Sequence, residues 1–146
     1  MLTQIPYKQY MIELSESDTH PLKIRCTLGA KRDVGFMISY EDTLEKLMKL
    51  FGQQDIEVGD KAFDSKYSIK EENSEFVGHL LSEEGIKTIL LKNNVFSFQC
   101  NYQKKENTLL LSALVSRTVN SKAELSELVR LFCMTIDKMQ EQDLIT

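Results

Sequence analysis

The apolar residues of this chain change period once near its end, and that change constrains the architecture more than any other feature. From Phe96 to Val115 they recur at every second position: Phe96, Phe98, Cys100 and Tyr102, then Leu109, Leu111, Ala113 and Val115. From Leu125 onward they follow helical spacing through Leu128, Val129, Phe132, Cys133, Ile136 and Met139. Alternation marks strands with one packed face, and a stripe at helical period marks a helix with one packed side. The polar stretch Lys104 to Asn107 joins strands expected over 96–102 and 108–119. Ser121 and Glu124 make a capping box, so the spacing predicts a helix over 121–140 that lies across the sheet.

The first third of the chain carries the same alternation. Tyr10, Ile12 and Leu14 predict a strand over 7–14, Leu22 to Leu28 a second, and Val34 to Tyr40 a third. Ser15 to Pro21 and Gly29 to Asp33 have turn chemistry, so these three strands should form an antiparallel meander. Asp42 and Glu45 open a helix that Gly52 closes, and Ile56 and Val58 begin a short extended piece. Phe63 to Ile69 reads as a further strand. Ser74 and Ser82 can cap two short helices bearing Phe76, Val77, Leu80 and Leu81, then Ile86, Ile89 and Leu90. The expected fold is one α+β domain over 1–146. It has an antiparallel sheet (meander plus C-terminal hairpin) packed on one side by helices, and a long C-terminal amphipathic helix.

Charge and composition remove several functions. With a net charge of −4, the chain lacks the cationic excess from which nucleic-acid binders derive their affinity. Its densest apolar run, Leu109 to Val115, is far shorter than the roughly 20 residues of a membrane-spanning helix. Residues 1–10 have no basic segment followed by an apolar one, so no signal peptide is expected. Cys26, Cys100 and Cys133 fall on apolar faces and form no Cys-x-x-Cys, which makes them small buried hydrophobes in a reducing setting. The expected location is the cytoplasm, either as a free protein or as the soluble part of a membrane-associated chain.

Candidate chemistry is sparse. Asp60 and Asp64, with Glu57 nearby, are the best paired carboxylates, and His79 is the histidine best placed to join them. Oxygens converging at a turn would suit a metal-dependent hydrolase. The simpler reading is that Asp60 and Asp64 bond the backbone of their own turn. His20 precedes Pro21 in a turn, and the two histidines make no local metal motif. Lys23, Arg25, Lys31 and Arg32 form a basic cluster, expected on a hairpin between the second and third strands, that either docks an acidic group or protects an edge. Phe96, Phe98 and Tyr102 lack the interleaved basic residues of a base-stacking platform, so they belong to the core.

Gly59-Asp60, Phe63-Asp64 and Tyr67, followed by Phe76, Leu80-Leu81 and Ile86 to Leu90, resemble a pattern in uncharacterised bacterial domains of unknown function. Those domains often follow membrane segments in their own chains. The likeness implies a Gly-Asp turn, a Phe-Asp strand and two short helices packed behind it. It assigns no activity and adds no catalytic residue. The reading that remains is a non-catalytic protein-interaction module, adaptor- or chaperone-like, with a polypeptide partner, no cofactor, no direct membrane insertion and scope for a homodimer. The alternatives are the hydrolase built on Asp60 and Asp64, or a small apolar-ligand carrier with a cavity between sheet and terminal helix.

Overall fold

Leu2–Tyr7 (β1) and Tyr10–Ser17 (β2) form a hairpin in a computed structural model that describes residues 2–17, 20–40, 58–72, 75–117, 119 and 121–146. The expected helix over 42–51, Ile56 and Glu57 lie outside the described residues. A first strand over 7–14 is corrected to this pair, because Lys8 reverses the chain by taking a left-handed φ of 55°. Pro6 has no N–H to give a ladder, and a strand at the rim of the sheet tolerates it.

His20–Gly29 (β3) pairs with β2 and closes the meander. Of the turn expected over 15–21, residues 15–17 and 20–21 are strand instead, because β2 persists to Ser17 and β3 begins at His20. Pro21 falls at a register shift between Ser15 and Ser17, where the ladder does not need its missing donor. The next strand, Gly35–Tyr40 (β4), does not pair with β3 as the meander reading expected. It crosses to the far side, and the sheet is completed by Tyr67–Glu72 (β5), Val95–Gln103 (β6) and Thr108–Val115 (β7). The order of the seven antiparallel strands is β1-β2-β3-β7-β6-β4-β5. The C-terminal hairpin β6–β7 thus sits at the centre, which explains why both of its strands are so rich in buried residues. The basic residues are correspondingly not on one hairpin: Lys23 and Arg25 lie within β3, whereas Lys31 pairs with Asp143 at 2.6 Å.

Four helices are described: Lys61–Lys66 (α1), Phe76–Leu81 (α2), Glu84–Lys92 (α3) and Lys122–Glu141 (α4). Phe63 and Asp64 are in α1, not in the strand read over 63–69. The Asp60 side chain accepts from the Phe63 amide and caps the helix, and that local bond outweighs the alternation of Phe63, Tyr67 and Ile69. Ser82 closes α2 by donating to the His79 carbonyl at 2.6 Å; it does not open α3, which Glu83 precedes. Ser121 accepts from the Glu124 amide as the capping box requires.

All four helices lie on one face. Phe132 of α4 meets Phe98 edge-on at 5.7 Å, Phe76 of α2 meets Phe36, and Phe63 of α1 stacks on Tyr67 at 4.7 Å. Ile12, Ile24, Leu28, Ile38, Leu111 and Ile136 are fully enclosed there. The α4 stripe is wider than the spacing indicated, because Leu131 and Thr135 are also buried, the latter by returning its hydroxyl to the Leu131 carbonyl. In β6 a bulge between Val95 and Ser97 moves Val95 inward and leaves Phe96 half-buried against Tyr40. The strand read over 108–119 ends at Val115.

Burial pushes the thiols of Cys26 and Cys100 up to about 12, while Cys133 on α4 is half-buried. Only the thiolate is nucleophilic. Iodoacetamide at pH 8 should therefore label Cys133 first in the native protein, with Cys26 and Cys100 reacting only after denaturant. Peptide mapping of the labelled chain reads the order directly, and early labelling of Cys100 would contradict its place under the helices.

Candidate functional site

The structure brings Asp60 and Asp64 into one turn and occupies them there. Asp64 accepts from the Val58 amide through Oδ1 and the Gly59 amide through Oδ2, both at 3.0 Å. Gly59, at a φ of 84°, is what lets the chain fold back over that carboxylate. Asp60 accepts from the Phe63 amide at 3.2 Å through Oδ1, and its Oδ2 takes the Lys87 ammonium at 3.4 Å. All four carboxylate oxygens are thus turned to the chain's own donors. His79 lies on the exposed side of α2 and meets the Gln142 side chain at 3.3 Å. Among the described residues no group of three or more His, Cys, Asp or Glu is placed to hold a metal ion. The Phe-Asp strand implied by the family likeness is a helical turn here.

The Phe63 amide, and then Lys87, hold the Asp60 carboxyl below its usual range. A depressed carboxyl adds stability above its unfolded value near 3.9 and loses it as pH falls through the folded value. Asp60→Asn keeps the capping acceptor but removes the charge. Its stability deficit relative to wild type should be constant above about pH 5 and shrink steadily on acidification below pH 4. Urea unfolding at several pH values measures this, and a deficit that grows toward acid would refute it.

Among the described residues, the other face of the sheet carries no helix. A lateral row crosses all seven strands through the Cα pairs Gln4–Glu13, Glu13–Arg25, Arg25–Ser112, Ser112–Gln99, Gln99–Met37 and Met37–Lys70. No described helix packs against it. Met11 is 42% exposed and Met37 39%, and Leu110 and Leu114 stand half-exposed between them. Ser97 and Ser112 are sunk among longer neighbours, and Gln99 and Asn101 offer amides. Exposed methionine beside neutral polar groups makes a surface able to repack around varied apolar side chains. Two clefts bordered by described residues open on this face. One, of about 430 Å³, lies by Met11, Arg25 and Thr27; the other, of about 260 Å³, lies by Met37, Lys70 and Asn101.

Neither a protein-family model nor a curated protein matches this chain. No described helix is long and apolar enough to cross a membrane. Lys23 and Arg25 were legible as candidates, and the other open-face residues were missed because outward positions of a half-buried strand look like solvated surface. The signal available was the type of residue at part of those positions: methionine, leucine, serine and amide side chains set among the charges of Glu13, Lys23, Arg25 and Lys70.

Proposed function

We propose that the chain is a non-catalytic module that holds another polypeptide on the open face of its sheet, in the manner of an adaptor or chaperone. The observation that carries this reading is the exposure of Met11 and Met37 on a seven-stranded face with all described helices on its far side. An isolated exposed methionine needs no explanation, but two of them among half-exposed leucines and neutral amides form a contiguous surface of mixed character. The engagement of both Asp60 oxygens and both Asp64 oxygens within their turn supports the non-catalytic side of the proposal. The mainly polar lining of the larger cleft favours a peptide over an apolar small molecule. Three unpaired thiols and the net charge of −4 support a reducing compartment and a partner other than nucleic acid.

The test is capture from the native cell with wild type and Met37→Glu side by side. Met37 is exposed, so the substitution should leave the urea midpoint unchanged. The expected result is a polypeptide retained by wild type and lost from the variant; a second copy of this chain would count, and would also register by sizing. Identical retention by the two proteins, or none by either, would defeat the proposal.

A further inference from the structure

The two rims of the sheet differ in kind. β5 ends in Lys70, Glu71 and Glu72, and charge of this sort keeps a sheet edge from pairing with other chains. β1, at the opposite rim, has no charged side chain along Leu2–Tyr7. Its Leu2, Thr3, Gln4 and Pro6 are exposed, and Leu2, at 63%, is the most exposed large hydrophobic among the described residues. The strand is nevertheless held in place. The Tyr7 hydroxyl donates to the two oxygens of Asp137 at 2.8 and 2.9 Å, and the neighbouring Lys8 donates to Gln140 of α4. β1 is thus a fixed template and not a frayed end.

The backbone of that template has a defined direction. Lys8 and Gln9 form a two-residue turn between Tyr7 and Tyr10, and the pair that closes such a turn is hydrogen-bonded across the hairpin. Alternation then turns the backbone groups of Thr3, Ile5 and Tyr7 toward β2, and those of Leu2, Gln4 and Pro6 outward. Pro6 presents a carbonyl there but no N–H. An unrelated strand added at this edge leaves an acceptor unmet in its middle, opposite Pro6. A second copy of β1, laid antiparallel about a two-fold axis at Gln4, does not. Gln4 exchanges both bonds with Gln4 of the second copy, and the Leu2 amide donates to the Pro6 carbonyl across the axis in both directions. The carbonyl left over is that of Leu2, at the end of the overlap, where water reaches it. The same register sets Leu2 against Pro6 on the open face and Thr3 against Ile5 on the helix face, so the apolar side chains of the edge cover one another.

We propose that β1 is the contact of a two-fold homodimer, in which the sheets of two copies join through Gln4 with the helices of both on one side. This contact does not use the open-face reading above. The test is sedimentation equilibrium of the full chain over a concentration series, for wild type, Gln4→Pro, Leu2→Lys and Met37→Glu. Wild type should dimerise with a Kd no weaker than about 100 μM. Gln4→Pro removes an N–H that points away from β2, and should weaken association by at least about ten-fold while the urea midpoint of the dilute chain holds. Leu2→Lys alters a side chain already in solvent and should also weaken association, which keeps the test decisive if the proline disturbs folding. Met37→Glu should dimerise like wild type. A wild-type monomer at about 100 μM, or a dimer indifferent to both β1 variants, would overturn the assignment. A dimer lost on Met37→Glu and kept by the β1 variants would place the second copy on the open face, defeating this proposal while supporting the open-face one.

Discussion

Phe132→Ala should cost about 3–5 kcal/mol, the largest loss expected of any single truncation of an α4 side chain. Phe132 is fully buried at the point where α4 crosses the sheet, and its ring meets the equally buried Phe98 edge-on at 5.7 Å. Phe98 in turn meets Phe36, which meets Phe76 of α2, so one aromatic chain links the terminal helix, two strands and a second helix. Truncation removes the transfer energy of the ring and leaves a cavity that rigid strand neighbours cannot collapse into. The melting temperature should fall by on the order of 10 °C or more for a domain of this size. Phe132→Leu should recover more than half of the loss, because it refills most of the volume. A loss below about 1 kcal/mol on Phe132→Ala would mean that α4 does not close the core.

The parts of this fold that were legible in the sequence are those where the local signal and the tertiary packing agree. Ser121, Glu124 and the following stripe specify α4 because capping and amphipathic spacing point to the same helix. The alternation in Leu22 to Leu28 and in Leu109 to Val115 specifies two strands, yet nothing in either run says that they are neighbours. Adjacent strands usually pair, and the expectation of a β3–β4 meander followed from that tendency. The chain departs from it because the C-terminal hairpin inserts between β3 and β4, a long-range choice that no short window contains. At Asp60 the conflict was local: Phe63, Tyr67 and Ile69 alternate, but a capping carboxylate three residues before the Phe63 amide settles the segment as a helical turn.

The candidate site divides the same way. Asp60 and Asp64 were visible as a pair, and the turn that consumes their oxygens was the simpler of two readings from the outset. The open face was not visible as a unit, because Gln4, Glu13, Arg25, Ser112, Gln99, Met37 and Lys70 come from seven strands in scrambled order. Each is an ordinary outward residue in its own strand. Only the pairing register makes them a surface.

The tail offers a second large effect, because its last apolar residues belong to the core. Leu144→Ala combined with Ile145→Ala should destabilise the whole domain by about 3–5 kcal/mol, not merely fray its end. Leu144 is 4% exposed and Ile145 2%, although they follow the last helix by only a few residues. Asp143 ends α4 in a left-handed conformation, φ 58°, and the Leu144 amide then returns to the Met139 carbonyl at 2.9 Å. That closure aims the next residues back at the sheet. The Lys31 amide donates to the Leu144 carbonyl, so the tail is held along the Gly29–Lys31 edge as an added length of strand. Without its two side chains, the part of the core cluster that they fill would open to solvent. The damage should therefore register in the global urea midpoint, with the slope little changed. Removing Thr146 alone leaves both apolar anchors in place and should cost less than about 1 kcal/mol. Gly29→Ala should act like that milder change, because the atoms nearest to its new Cβ all belong to the Thr146 side chain. A double variant as stable as wild type would show that the tail detaches on its own, and that β2 and β3 hold their positions without it.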